Sequence, residues 1–269
     1  MKLITNEASY YLVVHQNKRE LPYLMLFHGF MGTGNVFEPL IKLLTKTCNP
    51  ITADLLGHGK SSAPAEPTRF TAELQASDLI SILDRLQFRN LFLYGYSMGG
   101  RLAQHLFVSD PSRFSGLILE STHCGITDEN ERKIRKAADE KRAKEIECDY
   151  EQFLDRWIEL PLFDSPASAA EYDYKQVLRN QNPKLMAASL RGFGAGVMPP
   201  VCGQLREIKK PVGMLTGKSD QKYVDKMGEM AQLCSRSDFK IIDGAGHRVH
   251  VDQPNQTAKF ITQFLNQHG

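Results

Sequence analysis

Leu91-Phe92-Leu93-Tyr94-Gly95-Tyr96-Ser97-Met98-Gly99-Gly100-Arg101-Leu102-Ala103-Gln104-His105-Leu106 sets three backbone demands in one short run. The first four residues are an apolar strand signal, the last six have helical composition, and glycines flank the serine between them. A chain passing this quickly from strand to helix must turn sharply, and Gly95 and Gly99 supply the small residues such a turn needs. Ser97 is then thrust out at the apex. The Met98 N–H points from a helix amino terminus toward the same spot, a ready donor to an oxyanion.

Working outward, apolar runs at 10–14, 23–27, 50–53, 91–94, 117–119, 212–215 and 239–242 alternate with helical spacing at 36–44, 72–86, 98–108, 224–233 and 255–265. This alternation predicts a mostly parallel central sheet flanked by helices. The expected core is residues 1–124 and 206–269. Between them, 125–205 is expected to be an inserted helical cap, because strand signals vanish there and charge rises, as in Asp128-Glu129-Asn130-Glu131-Arg132-Lys133-Ile134-Arg135. Most of those charges read as a solvated helix laced with ion pairs. The interruption leaves after one strand and returns before the next. It is therefore expected above the carboxyl ends of the strands, where open α/β sheets bind ligands.

A serine hydroxyl is a weak nucleophile or base until a histidine oriented by a carboxylate takes its proton. Asp220 closes the loop Thr216-Gly217-Lys218-Ser219-Asp220 after one strand, and His247 closes Asp243-Gly244-Ala245-Gly246-His247 after the next. His250 and Glu120 are the nearest competitors for base and acid. The small residues ahead of His247 favour it, whereas Glu120 suits a buried acceptor bracing a loop. His28-Gly29-Phe30 follows the 23–27 strand and places the Phe30 N–H where a second oxyanion donor is expected. Asp54-Leu55-Leu56-Gly57-His58-Gly59-Lys60-Ser61 resembles the D-x-x-G-H-G-x-S loop common among α/β-hydrolases, so His28 and His58 read as loop braces. In this order the segments predict an α/β-hydrolase fold with Ser97, Asp220 and His247 as a triad and Phe30 and Met98 as oxyanion donors.

Composition removes several function classes. The 269 residues, 42% hydrophobic and 24% charged, suit a soluble globular protein with one large core. A net charge of +2 is too small to argue for nucleic acid or an anionic membrane as partner. No apolar run approaches the roughly 18 residues of a membrane span, and the amino terminus lacks the pattern of a secretory signal, so a cytoplasmic location is expected. Gly192-Phe193-Gly194-Ala195-Gly196 neither follows a buried strand nor opens a helix with an acidic residue after it, so it is no dinucleotide fingerprint. Neither a Walker loop nor a metal-ligand cluster appears, and no metal and no cofactor are expected. The five cysteines, Cys48, Cys124, Cys148, Cys202 and Cys234, are scattered without a C-x-x-C pair and all read as packing residues.

The fold alone leaves the reaction open. Arg101 narrows it: four residues beyond Ser97, it can share the serine's face of the helix. A guanidinium there gains little from a neutral acyl chain but clamps a carboxylate; its bland alternative is to bend toward a lid helix or solvent. The string Gly95-Tyr96-Ser97-Met98-Gly99-Gly100-Arg101 is similar to that of the 2-succinyl-6-hydroxy-2,4-cyclohexadiene-1-carboxylate synthase (MenH) family, α/β-hydrolases of the menaquinone pathway. Glu120-Ser121-Thr122-His123-Cys124-Gly125 resembles the family's E-x-x-x-x-G, and Glu131-Arg132-Lys133-Ile134-Arg135 with Asp139 its E-R-x-x-R-x-x-x-D. Phe153-Leu154-Asp155-Arg156-Trp157 followed by Pro161-Leu162-Phe163 resembles F-x-x-x-W…P-x-F. Gly194-Ala195-Gly196 before Pro199 resembles G-T-G-x-Q-P, with Ala195 in place of threonine and Met198 in place of glutamine.

The resemblance implies a carbon–oxygen lyase that eliminates pyruvate from a cyclohexene bearing succinyl, enolpyruvyl and carboxylate groups. It implies a small-molecule polycarboxylate as the partner, with Arg101 and Arg135 holding carboxylates and Tyr96 and Trp157 packing or hydrogen-bonding against the substrate. Plain packing is the alternative for Trp157. In this reading the triad acts as a base. The competing reading is a carboxylesterase or thioesterase working through an acyl-Ser97 intermediate. A ligand-sensing receptor on the same fold is a further alternative, against which an intact triad argues.

Overall fold

A computed structural model describes residues 1–5, 7–160, 164 and 174–269. Strand β1 (Lys2–Thr5) pairs antiparallel with β2 (Ala8–Val14), and β2 pairs antiparallel with β4 (Asn49–Ala53). Strands β3 (Tyr23–Phe27), β5 (Leu91–Tyr96), β6 (Phe114–Glu120), β7 (Val212–Gly217) and β8 (Ser237–Ile242) continue the sheet in parallel. The spatial order is β1-β2-β4-β3-β5-β6-β7-β8, an eight-stranded sheet with β5 at its interior. β1 went unread because only alternate residues of this short edge strand lose part of their exposure.

Period-two alternation along the parallel strands feeds two separate cores. Met25, Phe27, Leu91, Leu93, Leu117 and Leu119 face one side, where α2 (Ala72–Leu86), α3 (Met98–Ser109) and α9 (Gln221–Leu233) supply Leu79, Leu102 and Met227. Leu24, Leu26, Phe92, Tyr94 and Ile118 face the other, against α1 (Glu38–Leu44) and α11 (Pro254–His268) with Leu40, Ile261 and Phe264. Each fully buried Leu or Phe contributes about 1.5–3 kcal/mol by leaving water, so a sheet covered on both faces is the stable arrangement of this sequence. The 36–44 expectation divides in two: Gly34–Phe37 is a 3-10 turn and the α-helix starts only at Glu38, with Pro39 in its first turn.

Between β6 and β7 the regular elements among the described residues are helices: α4 (Glu129–Cys148), α5 (Tyr150–Ile158), α6 (Tyr174–Arg179), α7 (Pro183–Phe193) and α8 (Cys202–Glu207). The sequence marks their starts. Asp128, Asp149 and Asn182 accept hydrogen bonds from first-turn N–H groups of α4, α5 and α7. Ala143, Ile146, Phe153, Leu154, Leu178, Met186 and Leu190 form a third apolar cluster, which also takes in Met31 of the core. α4 is not uniformly solvated: Asp139 is 1% exposed and bonded to Arg135 and Arg142. No helix among the described residues is long and apolar enough to cross a membrane.

The cysteine reading is corrected here. Cys48 and Cys234 are buried packing residues, but Cys148 is exposed and Cys124 is joined to Cys202 by a disulfide. The bonded pair is 78 residues apart in sequence, and only the return of the chain to the sheet after α7 brings the two together. The Val201 N–H donates to the Cys124 carbonyl beside the bond, and Gly125, at φ +121°, lies so close to Pro200 that a Cβ would sit 2.4 Å from its Cα. Thiol titration of the denatured, unreduced protein should find three thiols, those of Cys48, Cys148 and Cys234, and five after reduction. Five thiols without reductant would contradict the pairing.

Candidate active site

The turn after β5 is built by close backbone approach. Ser97 sits at φ 50°, ψ −111°, a conformation costly for a residue with a side chain, and α3 begins at the next residue. A Cβ on Gly99 would lie 2.3 Å from the Phe27 carbonyl oxygen, and one on Gly95 would lie 2.5 Å from the Cα of Gly100. Only glycine lets α3 start so near the end of β3. Three hydrogen bonds hold the apex: Ser97 N–H to the Glu120 carbonyl at 2.9 Å, Thr122 Oγ1 to the Ser97 carbonyl at 2.8 Å, and Arg101 N–H to the same carbonyl at 3.2 Å.

The loops after β7 and β8 are zipped together. Lys218 N–H donates to the Ile242 carbonyl and Ser219 N–H to the Ala245 carbonyl, while a Cβ on Gly217 would lie 2.2 Å from the Ala245 and Gly246 oxygens. This brings Asp220 to His247: Oδ2 is 2.6 Å from Nδ1, and His247 Nε2 is 3.1 Å from Ser97 Oγ. With Nδ1–H donated to the carboxylate, Nε2 is left to accept the serine's proton. The imidazole is 3% exposed and flanked by the rings of Tyr223 at 4.6 Å and Tyr96 at 5.3 Å between centroids.

The competitors are occupied elsewhere. Glu120, fully buried, accepts from the Tyr94 hydroxyl, the His250 N–H at 3.1 Å and His250 Nδ1 at 2.8 Å, so it braces the turn into α10 (Val249–Asp252). His28 Nε2 accepts from Leu55 N–H and its Nδ1 donates to the Gly29 carbonyl, while His58 Nδ1 meets the Leu56 carbonyl. Both therefore fasten the loops after β3 and β4. Burial lowers their pKa values, to about 4 for His28 and about 3 for His58.

A cavity of about 270 Å³ opens over Ser97, and every residue singled out for substrate contact lines it: Tyr96, Arg101, Arg135 and Trp157, together with Phe30 and Met98. As the first residue of α3, Met98 has an N–H without an intrahelical acceptor. Trp157 stacks on Phe153 at 5.5 Å and meets Phe30 edge-on at 5.8 Å, so packing and cavity lining coexist. Pro161, Leu162 and Phe163 lie outside the described residues.

Cationic charge dominates the cavity. Arg101 is 7% exposed, its Nη1 donating to the Phe193 carbonyl at 3.1 Å and to Met198 Sδ at 3.4 Å, with no carboxylate bonded to it among the described residues. Burial first, then the nearby Arg135 charge, pull its pKa down to about 10. Arg135 meets both oxygens of Asp139 through Nε at 2.9 and 3.0 Å, and among the described residues its two Nη groups make no hydrogen bond. Arg142, Lys222, Tyr223 and His123 also line the cavity and were missed. Arg142 was readable as two helical turns beyond Arg135, and Lys222 and Tyr223 as the opening of the helix after Asp220. His123, pushed to about 3 by burial and then by Arg101 and Arg135, adds no positive charge at neutral pH. Among the described residues no group of three or more His, Cys, Asp or Glu could hold a metal ion.

The family described as alpha/beta hydrolase fold matches residues 22–254. A Bacillus subtilis (strain 168) protein assigned as 2-succinyl-6-hydroxy-2,4-cyclohexadiene-1-carboxylate synthase is 34% identical over 98% of both chains. The Salmonella typhimurium protein of that name is 30% identical over 91% of this chain and 94% of its own. The solved structure of MenH from S. aureus superposes with a TM-score of 0.87 at 32% identity, over 96% of this chain and 98% of that one.

The buried histidines give a pH dependence with a definite sign. His28, His58 and His123 resist protonation in the folded state, with pKa values of about 4, 3 and 3, whereas unfolded histidine titrates near 6.5. Below about pH 6.5 the unfolded chain therefore binds more protons than the native one, and stability falls on acidification by up to about 1.4 kcal/mol per pH unit for each histidine. The urea midpoint should decline steadily from pH 7 to 4.5 and decline less steeply in His58→Asn. A midpoint independent of pH over that range would contradict neutral buried histidines.

Proposed function

Since the chain belongs to the 2-succinyl-6-hydroxy-2,4-cyclohexadiene-1-carboxylate synthase (MenH) family of α/β hydrolases, we propose that it is the pyruvate-eliminating lyase of menaquinone biosynthesis. Its substrate is 2-succinyl-5-enolpyruvyl-6-hydroxy-3-cyclohexene-1-carboxylate. Residues 125–205 serve as the cap that covers it. The observation that carries the reading is the pairing of a serine–histidine–aspartate chain with Arg101, buried one turn beyond Ser97 in a cation-lined cavity with no carboxylate bonded to it among the described residues. A buried guanidinium without a hydrogen-bonded carboxylate is costly, and a carboxylated ligand reduces that cost. A neutral acyl chain does not.

The triad then works as a base. Ser97 Oγ takes the proton next to the succinyl carbonyl as its own proton passes to His247 Nε2, and Asp220 stabilises the imidazolium that forms. The electron pair left by the broken C–H bond moves onto the succinyl carbonyl oxygen, where the Phe30 and Met98 N–H groups meet the charge. When the carbonyl re-forms, the pair shifts through the ring and breaks the carbon–oxygen bond to the enolpyruvyl group. The departing enolate takes up a proton and becomes pyruvate. Arg101 and Arg135 hold carboxylates throughout, and Tyr96 and Trp157 form walls of the site.

Coupled detection of released pyruvate tests this. Wild type should turn over, while Ser97→Ala and His247→Ala should each lower kcat by about 10³-fold, within the usual span of general acid–base catalysis. Arg101→Ala should lower kcat/KM by about 10²-fold, the effect of stranding a buried carboxylate. An acyl-Ser97 adduct formed on the ring substrate, or fast p-nitrophenyl ester turnover unaffected by Arg101→Ala, would point instead to the esterase chemistry.

A further inference from the structure

Tyr223 opens α9 three residues after Asp220, and its backbone N–H donates to the Asp220 carbonyl at 2.9 Å, so the turn that holds the acid also fixes this side chain. Its ring packs against the His247 imidazole, 4.6 Å between centroids at 53°. The residue is 9% exposed and lines the cavity over Ser97. No hydrogen bond to its hydroxyl is formed by any described residue, which leaves it free to meet a ligand in the cavity. The charges felt most strongly by that hydroxyl are Arg101 from the core and Arg135 from α4, with Asp220 opposing them. Burial keeps the phenol above its ordinary pKa despite the two arginines, so it is a neutral donor at physiological pH.

We propose that Tyr223 is a substrate-positioning residue whose hydroxyl donates a hydrogen bond to a carboxylate held between Arg101 and Arg135. Three facts converge on a carboxylate as the acceptor. Arg101 has no acidic partner among the described residues, Arg135 engages Asp139 only through Nε, and the hydroxyl lies within the field of both. A single anion there satisfies a core arginine, an arginine of the inserted helices and the tyrosine at once. The ring contact with His247 links that anion to the base: a ligand seated on the hydroxyl restrains the ring against which the imidazole packs. The proposal deepens the lyase reading and rests on it for the identity of the substrate, but not for the chemistry of the site.

The test separates the two. Trp157, the only tryptophan of the chain, lines the same cavity, so its fluorescence reports ligand entry without turnover. Succinate and citrate are the probes. Both should change the emission of wild type in a saturable way, and Tyr223→Phe, which removes only the hydroxyl, should weaken binding about tenfold, as expected for a hydrogen bond to a charged group. The thermal midpoint of Tyr223→Phe should stay at the wild-type value, because ring packing is kept. In the pyruvate assay Tyr223→Phe should raise KM with a smaller effect on kcat, whereas Tyr223→Leu, which also removes the contact with His247, should lower kcat as well. Equal affinity of wild type and Tyr223→Phe for the probes overturns the proposal, as does a wild type that binds neither. Failure of wild type to release pyruvate while the probe result holds overturns the lyase reading and leaves the carboxylate site standing.

Discussion

The approach of the amino terminus of α3 to the carbonyls ending β3 is the contact on which the remaining architecture depends. Gly99 lies so near the Phe27 and His28 oxygens that a Cβ would sit 2.3 and 2.4 Å from them. That closeness forces Ser97 into its positive-φ conformation and puts Met98 at the first turn of the helix. It also places Arg101 one turn farther on, beneath the inserted helices, where it reaches the Phe193 carbonyl. Strain of about 1–3 kcal/mol at one residue is tolerable because strands β3, β5 and β6 are paired in parallel and nearly all their residues are buried.

Electrostatics distinguish this site from the many that share its backbone. An esterase pocket for a neutral chain has no reason to bury a guanidinium beside its serine. Here Arg101, Arg135, Arg142 and Lys222 line one cavity, against Asp139 as the only carboxylate in its wall among the described residues, and Asp139 is already shared by two of the arginines. Burial lowers the pKa values of Arg101 and Lys222, and the Arg135 charge across the space lowers both further. An anionic ligand relieves that repulsion from within. In the proposed reading, the inserted helices gain part of their hold on the core from the carboxylate they share with it.

Much of this was legible in the chain because the relevant signals are local. The strand–glycine–serine–glycine–helix run and the loops closing on Asp220 and His247 are each written within a few residues. What escaped depends on distant parts of the chain meeting. The pairing of Cys124 with Cys202 spans 78 residues, and the burial of Asp139 within a charged helix involves Gly194, 55 positions on, packed against its carboxylate. Tyr223 reads as an ordinary aromatic of an amphipathic helix until the turn at Asp220 lays its ring against His247. The short edge strand β1 lacked a full apolar face to declare itself.

The bond between Cys124 and Cys202 fixes the exit and re-entry of the inserted helices with their Cα atoms 5.0 Å apart. To the sheet, therefore, everything between them amounts to a detour that returns to its starting point. β6 and β7 lie side by side as neighbours whatever the length or shape of that detour. Substitution and exchange of helices within it can reshape the ligand's roof while the serine, histidine and aspartate stay where the sheet holds them, so the selectivity of such an enzyme can drift independently of its chemistry.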